Sequence, residues 1–143
     1  MAGEFVLDNS VSIRWALQDG SPADRAYADQ VLDSLEGSAA LVPGLWYTET
    51  IHVLRCYEDD GKLGESALAG FVYQLGQLPI SLDPASPAGT QLAVAAVSRE
   101  FKLSGYDAQY LELARRRNLP IATLDKNLRK AAKKSGVPIY LMH

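Results

Sequence analysis

Short apolar runs alternate with longer amphipathic stretches along almost the whole chain, and that alternation limits the folds open to it. Phe5-Val6-Leu7-Asp8, Ala39-Ala40-Leu41-Val42, Pro79-Ile80-Ser81-Leu82, Pro120-Ile121-Ala122-Thr123 and Pro138-Ile139-Tyr140-Leu141 read as strands. Continuous apolar runs of this length suit strands buried on both faces. Between them, helical period appears over 11–17, 22–36, 45–58, 64–76, 88–102, 107–117 and 125–134. Ser21-Pro22 and Ser86-Pro87 have the chemistry of a cap and first turn, and Gly37 and Gly136 that of stops. The helix at 22 is expected to bury Ala26, Val31, Leu32 and Leu35. The helix at 45 carries Trp46, Ile51, Val53 and Leu54 with helical period, and the helix at 107 turns Leu111, Leu113 and Ala114 inward. Strands that alternate with helices over short connections specify a parallel sheet with helices on both faces. The expected fold is a three-layer α/β/α sandwich around a central, mostly parallel sheet of four to five strands, with right-handed crossovers. Residues 5–143 read as a single domain. Residues 1–4 read as a terminus without structure of its own, or as an expression remnant.

Four acidic residues fall where such a sheet would gather them. Asp8 ends the first strand, and Asp125 follows the run Ile121-Ala122-Thr123-Leu124. Asp107 opens a helix, where the helix dipole favours an ionised carboxylate. Glu49 lies one turn into the helix after the second strand. Open α/β sheets bind ligands outside the carboxyl ends of their strands, where strand order reverses. If the strands of Asp8 and Asp125 are neighbours, both carboxylates come within reach of one ion. Crowded carboxylates repel one another, so the cluster is costly without a divalent cation. Hard oxygen ligands suit Mg²⁺ or Mn²⁺, and such a site suits phosphate chemistry. Taken singly, each acid has an ordinary reading as well. Asp107 and Asp125 would serve as first-turn helix residues, Asp8 as a cap and Glu49 as a solvated helix residue.

Charge is unevenly spread around the formal net of −3. Residues 1–112 hold 6 basic and 16 acidic side chains, whereas residues 113–143 hold 8 basic and one acidic. Lys126, Arg129, Lys130, Lys133 and Lys134 recur at spacings of three and four, so they share a helix face that begins beside Asp125. That face is a path for a polyanion, with attraction that weakens steeply with salt, or else a solvated helix with no partner. Arg14, near Asp8, is a second candidate for phosphate contact. Arg115-Arg116-Arg117 points several ways around its helix and suits solubility. Trp15, Trp46 and Tyr47 are candidates for stacking a base, although core packing is their commoner use. His52 and the terminal His143 give no convincing general base. The single cysteine, Cys56, excludes an internal disulfide and fits a reducing cytoplasm, and its helical setting suggests burial. No stretch approaches the ~18 apolar residues of a membrane span, and no secretory leader is visible. The helices at 45 and 64 are more apolar than one sheet face requires, so part of that surface is expected to meet another chain. The alternative is a thick helical layer in a monomer.

Four ordered segments carry a family resemblance. They are Phe5-Val6-Leu7-Asp8-Asn9-Ser10, Val42-Pro43-Gly44-Leu45-Trp46-Tyr47-Thr48-Glu49, Tyr106-Asp107-Ala108-Gln109-Tyr110-Leu111-Glu112-Leu113-Ala114 and Ala122-Thr123-Leu124-Asp125-Lys126-Asn127-Leu128. Together they resemble the PIN-domain signature, most closely that of VapC-type toxins of bacterial toxin–antitoxin pairs. The resemblance implies a Mg²⁺- or Mn²⁺-dependent ribonuclease that leaves a 5′-phosphate and a 3′-hydroxyl. By the same resemblance Asp8, Glu49, Asp107 and Asp125 match the catalytic, metal-binding acids. Ser10 and Thr123 match supporting polar positions. Asn127 is an amide where a further carboxylate ligand would otherwise stand. The implied partners are an RNA substrate, a cognate antitoxin whose C-terminal segment blocks the cleft, and a second copy of the chain. On that reading Arg14, Lys126, Arg129 and Lys130 are the candidates for RNA contact.

Three other readings compete. A phosphoacceptor receiver domain also places an Asp at a strand end, but it needs an acidic pair before the acceptor, and Leu7 and Asn9 flank Asp8. A non-catalytic PIN binding module would be expected to have lost acids. A PIN nuclease of RNA processing, outside toxin–antitoxin systems, often carries further domains.

Overall fold

The computed structural model describes residues 3–17 and 19–142. Four strands, β1 (Glu4–Leu7), β2 (Ala39–Val42), β3 (Ile80–Leu82) and β4 (Ile121–Ala122), form one sheet in the order β3-β2-β1-β4. Every neighbouring pair is parallel. Glu4 opens β1 and so belongs to the sheet rather than to the structureless start expected over 1–4; Met1, Ala2 and His143 lie outside the described residues. The strand expected over 138–141 reduces to one parallel bridge between Ile139 and Ile121. The chain turns away at once, with Leu141 at φ 62° and the Met142 amide donating to the Ile139 carbonyl.

Helices flank the sheet as expected of an α/β sandwich. α1 (Asn9–Ser12) runs into a 3-10 turn at Ile13–Trp15, in place of the single helix expected over 11–17. α2 (Pro22–Ser34) begins as its cap chemistry predicts, with the Ser21 side chain accepting the Asp24 amide. Its buried face is Tyr27, Ala28 and Val31 with Leu35 beyond, while Ala26 is exposed. Tyr27, Val31 and Leu35 repeat every four residues, and at about 100° per residue Ala26 falls off that line. α3 (Leu45–Asp59) buries Trp46, Thr50 and Leu54, again four apart, which leaves Ile51 and Cys56 exposed. The expected burial of Cys56 is therefore corrected, because it sits about 200° around the helix from Leu54. α4 (Glu65–Gly76), α5 (Pro87–Phe101), α6 (Gly105–Arg117) and α7 (Lys126–Lys134) complete the helices. Leu111, Leu113 and Ala114 of α6 are fully buried.

The core is continuous from Phe5, Val6 and Leu7 of β1 through Leu41 and Val42 of β2 to the inner face of α6. Phe5 stacks on Tyr140 with ring centroids 3.8 Å apart, and the Tyr27 hydroxyl donates to the Tyr140 carbonyl at 2.8 Å. These contacts fasten the C-terminal segment to the sheet. Among the described residues no helix is long and apolar enough to cross a membrane.

The topology decides where a site can form. From β1 the chain steps to β2 and then β3 on one side, and later returns to β4 on the other. Strand order thus reverses at the β1–β4 pair, whose carboxyl ends leave a crevice.

Candidate active site

Asp8 leaves β1 at that reversal point. Val6 lies beside Ile121 and Leu7 beside Ala122, and the ladder continues one step further as the Asp8 amide donates to the Ala122 carbonyl at 3.0 Å. The strands of Asp8 and Asp125 are therefore neighbours. Asp8 is only 5% exposed. Its Oδ2 accepts from Ser10 Oγ at 2.6 Å and from Thr123 Oγ1 at 2.7 Å. Both hydroxyl oxygens also accept backbone amides from the turn after β4. Ser10 Oγ takes the Leu124 amide at 2.9 Å, and Thr123 Oγ1 takes the Asp125 amide at 3.0 Å. This net ties the end of β1 to the β4–α7 turn and holds Asp8 in one orientation. Ser10 and Thr123 both touch the Asp8 carboxylate.

The other three acids arrive on helices. Asp125 is the N-cap of α7, with Oδ1 accepting the Leu128 amide at 2.9 Å. Asp107 lies in the first turn of α6, where Ser104 caps the helix by accepting the Asp107 amide at 3.0 Å. Glu49 projects from α3, and its Oε1 accepts from the hydroxyl of Tyr110, a fully buried residue of α6. Sequence reasoning assigned Tyr110 no role. Its signal was a phenol at a core position three residues after Asp107, where a buried hydroxyl needs a polar partner.

Burial raises the pKa of Asp8 to about 6, against the lowering effect of its two hydroxyl bonds, and the charges of Glu49 and Asp125 add to the rise. Asp107 is also raised to about 6, by burial first and then by the charges of Asp125 and Asp8. Glu49 is raised by burial and by Asp107, while the Tyr110 bond opposes this. The four carboxyl groups thus lie within one another's fields. Among the described residues none of the four forms an ion pair with Lys, Arg or His. Asp8, Glu49 and Asp125 each commit one oxygen to the protein.

Uncompensated hard oxygen donors of this kind fit Mg²⁺ or Mn²⁺. The arrangement is looser than a four-carboxylate cage, however. Among the described residues no group of three or more His, Cys, Asp or Glu is close enough to hold a metal ion. Asp8, Glu49 and Asp125 each have one oxygen held by the scaffold, through Ser10 and Thr123, through Tyr110 and through the Leu128 amide. Mg²⁺ keeps several waters and takes only one or two carboxylates directly, so a spread set remains compatible with it.

The basic residues divide into two groups. Lys126, Lys130, Lys133 and Lys134 project from the exposed side of α7, opposite buried Leu128, Ala131 and Ala132. Arg129 turns inward instead. Its Nε donates to the Thr123 carbonyl at 2.6 Å, and its guanidinium lies 5.0 Å from the Tyr27 ring centroid. It braces the turn that carries Thr123 and Asp125. Arg14 pairs with Asp19 at 2.8 Å. Both arginines, expected to face RNA, have partners within the chain. Asn127 is exposed in the first turn of α7. The indoles pack: Trp46 Nε1 donates to Ser12 Oγ at 3.0 Å, and Trp15 Nε1 to the Ala28 carbonyl at 2.8 Å.

Comparison with known proteins agrees with this architecture. The chain is similar in structure to PAE2754 from Pyrobaculum aerophilum, with a TM-score of 0.67 and 23% identity over 92% of this chain and 87% of that one. It is also similar to FitAcB from Neisseria gonorrhoeae, with a TM-score of 0.52 and 16% identity over 95% of this chain and 96% of that one. At these identities the likeness speaks to the fold alone. Among curated proteins no match is found. The family model for the PIN domain matches residues 5–134, which include all four acids. PIN domains are generally metal-dependent nucleases, so the match implies nuclease chemistry. On the strength of that match, the chain belongs to the PIN domain family.

Proposed function

We propose that the chain is a Mg²⁺- or Mn²⁺-dependent endoribonuclease, the toxin of a toxin–antitoxin pair, that hydrolyses RNA phosphodiester bonds. One observation carries the reading. The buried Asp8 carboxylate sits at the reversal point of the sheet, held by two hydroxyls, within the fields of Glu49 and Asp125 and, among the described residues, without a cationic partner. Asp8, Glu49, Asp107 and Asp125 would hold the ion, which when bound supplies a water of lowered pKa and positive charge against the phosphate. Ser10 and Thr123 orient Asp8, and Tyr110 sets the reach of Glu49. Lys126 and Lys130 draw the RNA backbone along α7 towards the crevice, with Asn127 exposed beside them in the first turn of α7. No protein nucleophile is required.

The toxin assignment is supported by the VapC-type resemblance of the four ordered motifs. It is also supported by Tyr47, Ile51, Val72 and Tyr73, large apolar side chains left exposed on α3 and α4. A face of this kind suits a second copy of the chain and the antitoxin. The test is cleavage of total RNA by the wild-type chain and by Asp8→Asn, with and without EDTA, with fragment ends mapped. Both the substitution and the chelator are expected to abolish cutting. Cutting that persists in EDTA would remove the metal mechanism. Growth arrest on expression, relieved by the product of an adjacent small reading frame, would support the toxin role; cutting without arrest would favour RNA processing.

A further inference from the structure

A second cavity, separate from the acidic crevice, lies between the α5–α6 connection and α7. Its volume is about 510 Å³, and its lining includes Lys102, Lys130 and Lys134 together with Asn127 and Glu100. We propose that it binds backbone phosphates of single-stranded RNA, held by Lys102, Lys130 and Lys134. The proposal rests on the nuclease reading and extends it to the path of the substrate outside the reacting centre.

Three observations support the assignment. First, none of the three ammonium groups is in an ion pair among the described residues. Among the described residues Glu100 is the one carboxylate at the cavity, and Arg115 engages it at 3.4 Å. Lys130 and Lys134 are four apart on α7, a like-charge spacing that destabilises a helix unless an anion lies between. Second, Lys102 is the C-cap of α5 at φ 54°, a left-handed conformation that a non-glycine residue adopts at a cost. Glycine or asparagine would sit there with less strain, so the lysine brings a charge rather than a conformational advantage. Third, the cavity adjoins the catalytic edge. Asn127 lines it and lies two residues after Asp125, while Lys130 and Lys134 stand roughly 8 and 14 Å beyond Asp125 along the helix axis. A strand whose phosphate lies at the acids and whose neighbours follow α7 would pass through it. Ammonium groups on long stems contact phosphates as point charges without reading a base, so the site adds affinity and direction rather than sequence preference.

The experiment measures binding of a fluorescent mixed-sequence RNA of about 12 nucleotides, a length within the span of known single-strand grooves. Binding is titrated in EDTA at several salt concentrations, and cleavage kinetics are measured in Mg²⁺. The test variant is Lys102→Asn/Lys130→Gln/Lys134→Gln, with asparagine chosen because it tolerates the backbone at 102. Lys102→Asn alone and the remote Lys62→Gln form a matched pair of single-charge changes. Each lost phosphate contact reduces the slope of log affinity against log salt by about 0.7 for a single strand, so the triple variant is expected to lose about 2 and Lys102→Asn about 0.7. Lys62→Gln is expected to leave the slope unchanged. In cleavage, the triple variant's loss is expected in KM more than in kcat. A triple variant with the wild-type slope and KM, while the wild type still cuts, overturns the phosphate site and leaves the nuclease reading standing. A wild type that binds RNA through these lysines but cuts nothing overturns the nuclease reading and leaves the phosphate site. Inorganic phosphate that saturates the cavity and displaces RNA well below millimolar concentration would assign the lysines to the free anion and overturn the RNA assignment.

Discussion

Replacing Asp8 by asparagine should stabilise the metal-free protein while destroying its activity. Asp8 is buried, and its pKa stands at about 6 against an ordinary 3.8. The folded protein therefore binds this proton more tightly than the unfolded chain does. The stabilisation is complete below the unfolded value and is lost as pH rises from 3.8 through about 6, after which it stays level. A shift of about two units corresponds to roughly 3 kcal/mol at neutral pH. Asparagine keeps the shape and can still accept from Ser10 and Thr123, yet carries no charge to desolvate. The variant should thus gain up to about 3 kcal/mol over wild type at pH 7.5, or roughly 6–12 °C in Tm for a chain of this size. Near pH 4 the two proteins should melt together. The assay is thermal melting in EDTA at both pH values, with RNA cleavage measured alongside. Addition of Mg²⁺ should raise the wild-type Tm, since a ligand bound to the folded state alone stabilises it, and should raise that of the variant far less. Equal Tm values at pH 7.5, or an equal gain at both pH values, would show that Asp8 is not a desolvated charge and would refute the reasoning.

Three further expectations concern the parts that position the acids. Arg129→Met removes the bond to the Thr123 carbonyl and the contact over Tyr27; urea unfolding should show a loss of about 2 kcal/mol, with cleavage falling as Thr123 loosens, and an unmoved midpoint would deny Arg129 its bracing role. Ser104→Ala deletes the cap that accepts the Asp107 amide; it should cost about 1 kcal/mol, largely restored by Ser104→Asn, and equal stability of all three proteins would argue against the cap. Arg116 bonds Glu112 and Asp83. Although burial alone would raise Asp83, the bond and charge of Arg116, with the Ala85 amide, hold its carboxyl below the usual range. Arg116→Met should therefore cost about 1 kcal/mol at pH 7 for a partly exposed pair. That deficit should shrink as pH falls through the carboxylate range; a deficit independent of pH would point to lost packing instead.

Much of the fold was legible in the chain because it depends on local patterns. β2 spans the run read for it, β1 is shifted from its run by one residue and α4 starts one residue later than read, since short apolar runs and capping residues act within a few positions. Departures from the reading arose where helix phase mattered. Ala26 and Cys56 lie on the outer sides of their helices because Tyr27 and Thr50 help set the buried line. The run 138–141 has strand composition, but the turn at Leu141 leaves it a single bridge. Arg14 and Arg129 carry charges suited to RNA, and each also meets a partner only five or six residues away, Asp19 and the Thr123 carbonyl, across a turn that helical spacing does not reveal.

The order of apolar runs, helical periods and strand-end acids was enough to determine a parallel α/β sheet and the edge at which Asp8, Glu49, Asp107 and Asp125 would gather. Those features follow from backbone geometry, which repeats every two or 3.6 residues and can be read along one dimension. The tertiary structure alone decided that β4 pairs with β1, that Ser10 and Thr123 close on one oxygen of Asp8, that Tyr110 holds Glu49, and that Lys102 meets Lys130 and Lys134 across a cavity. Each of these joins residues far apart in the chain, and their meeting depends on strand order and helix rotation, which packing of the whole core selects.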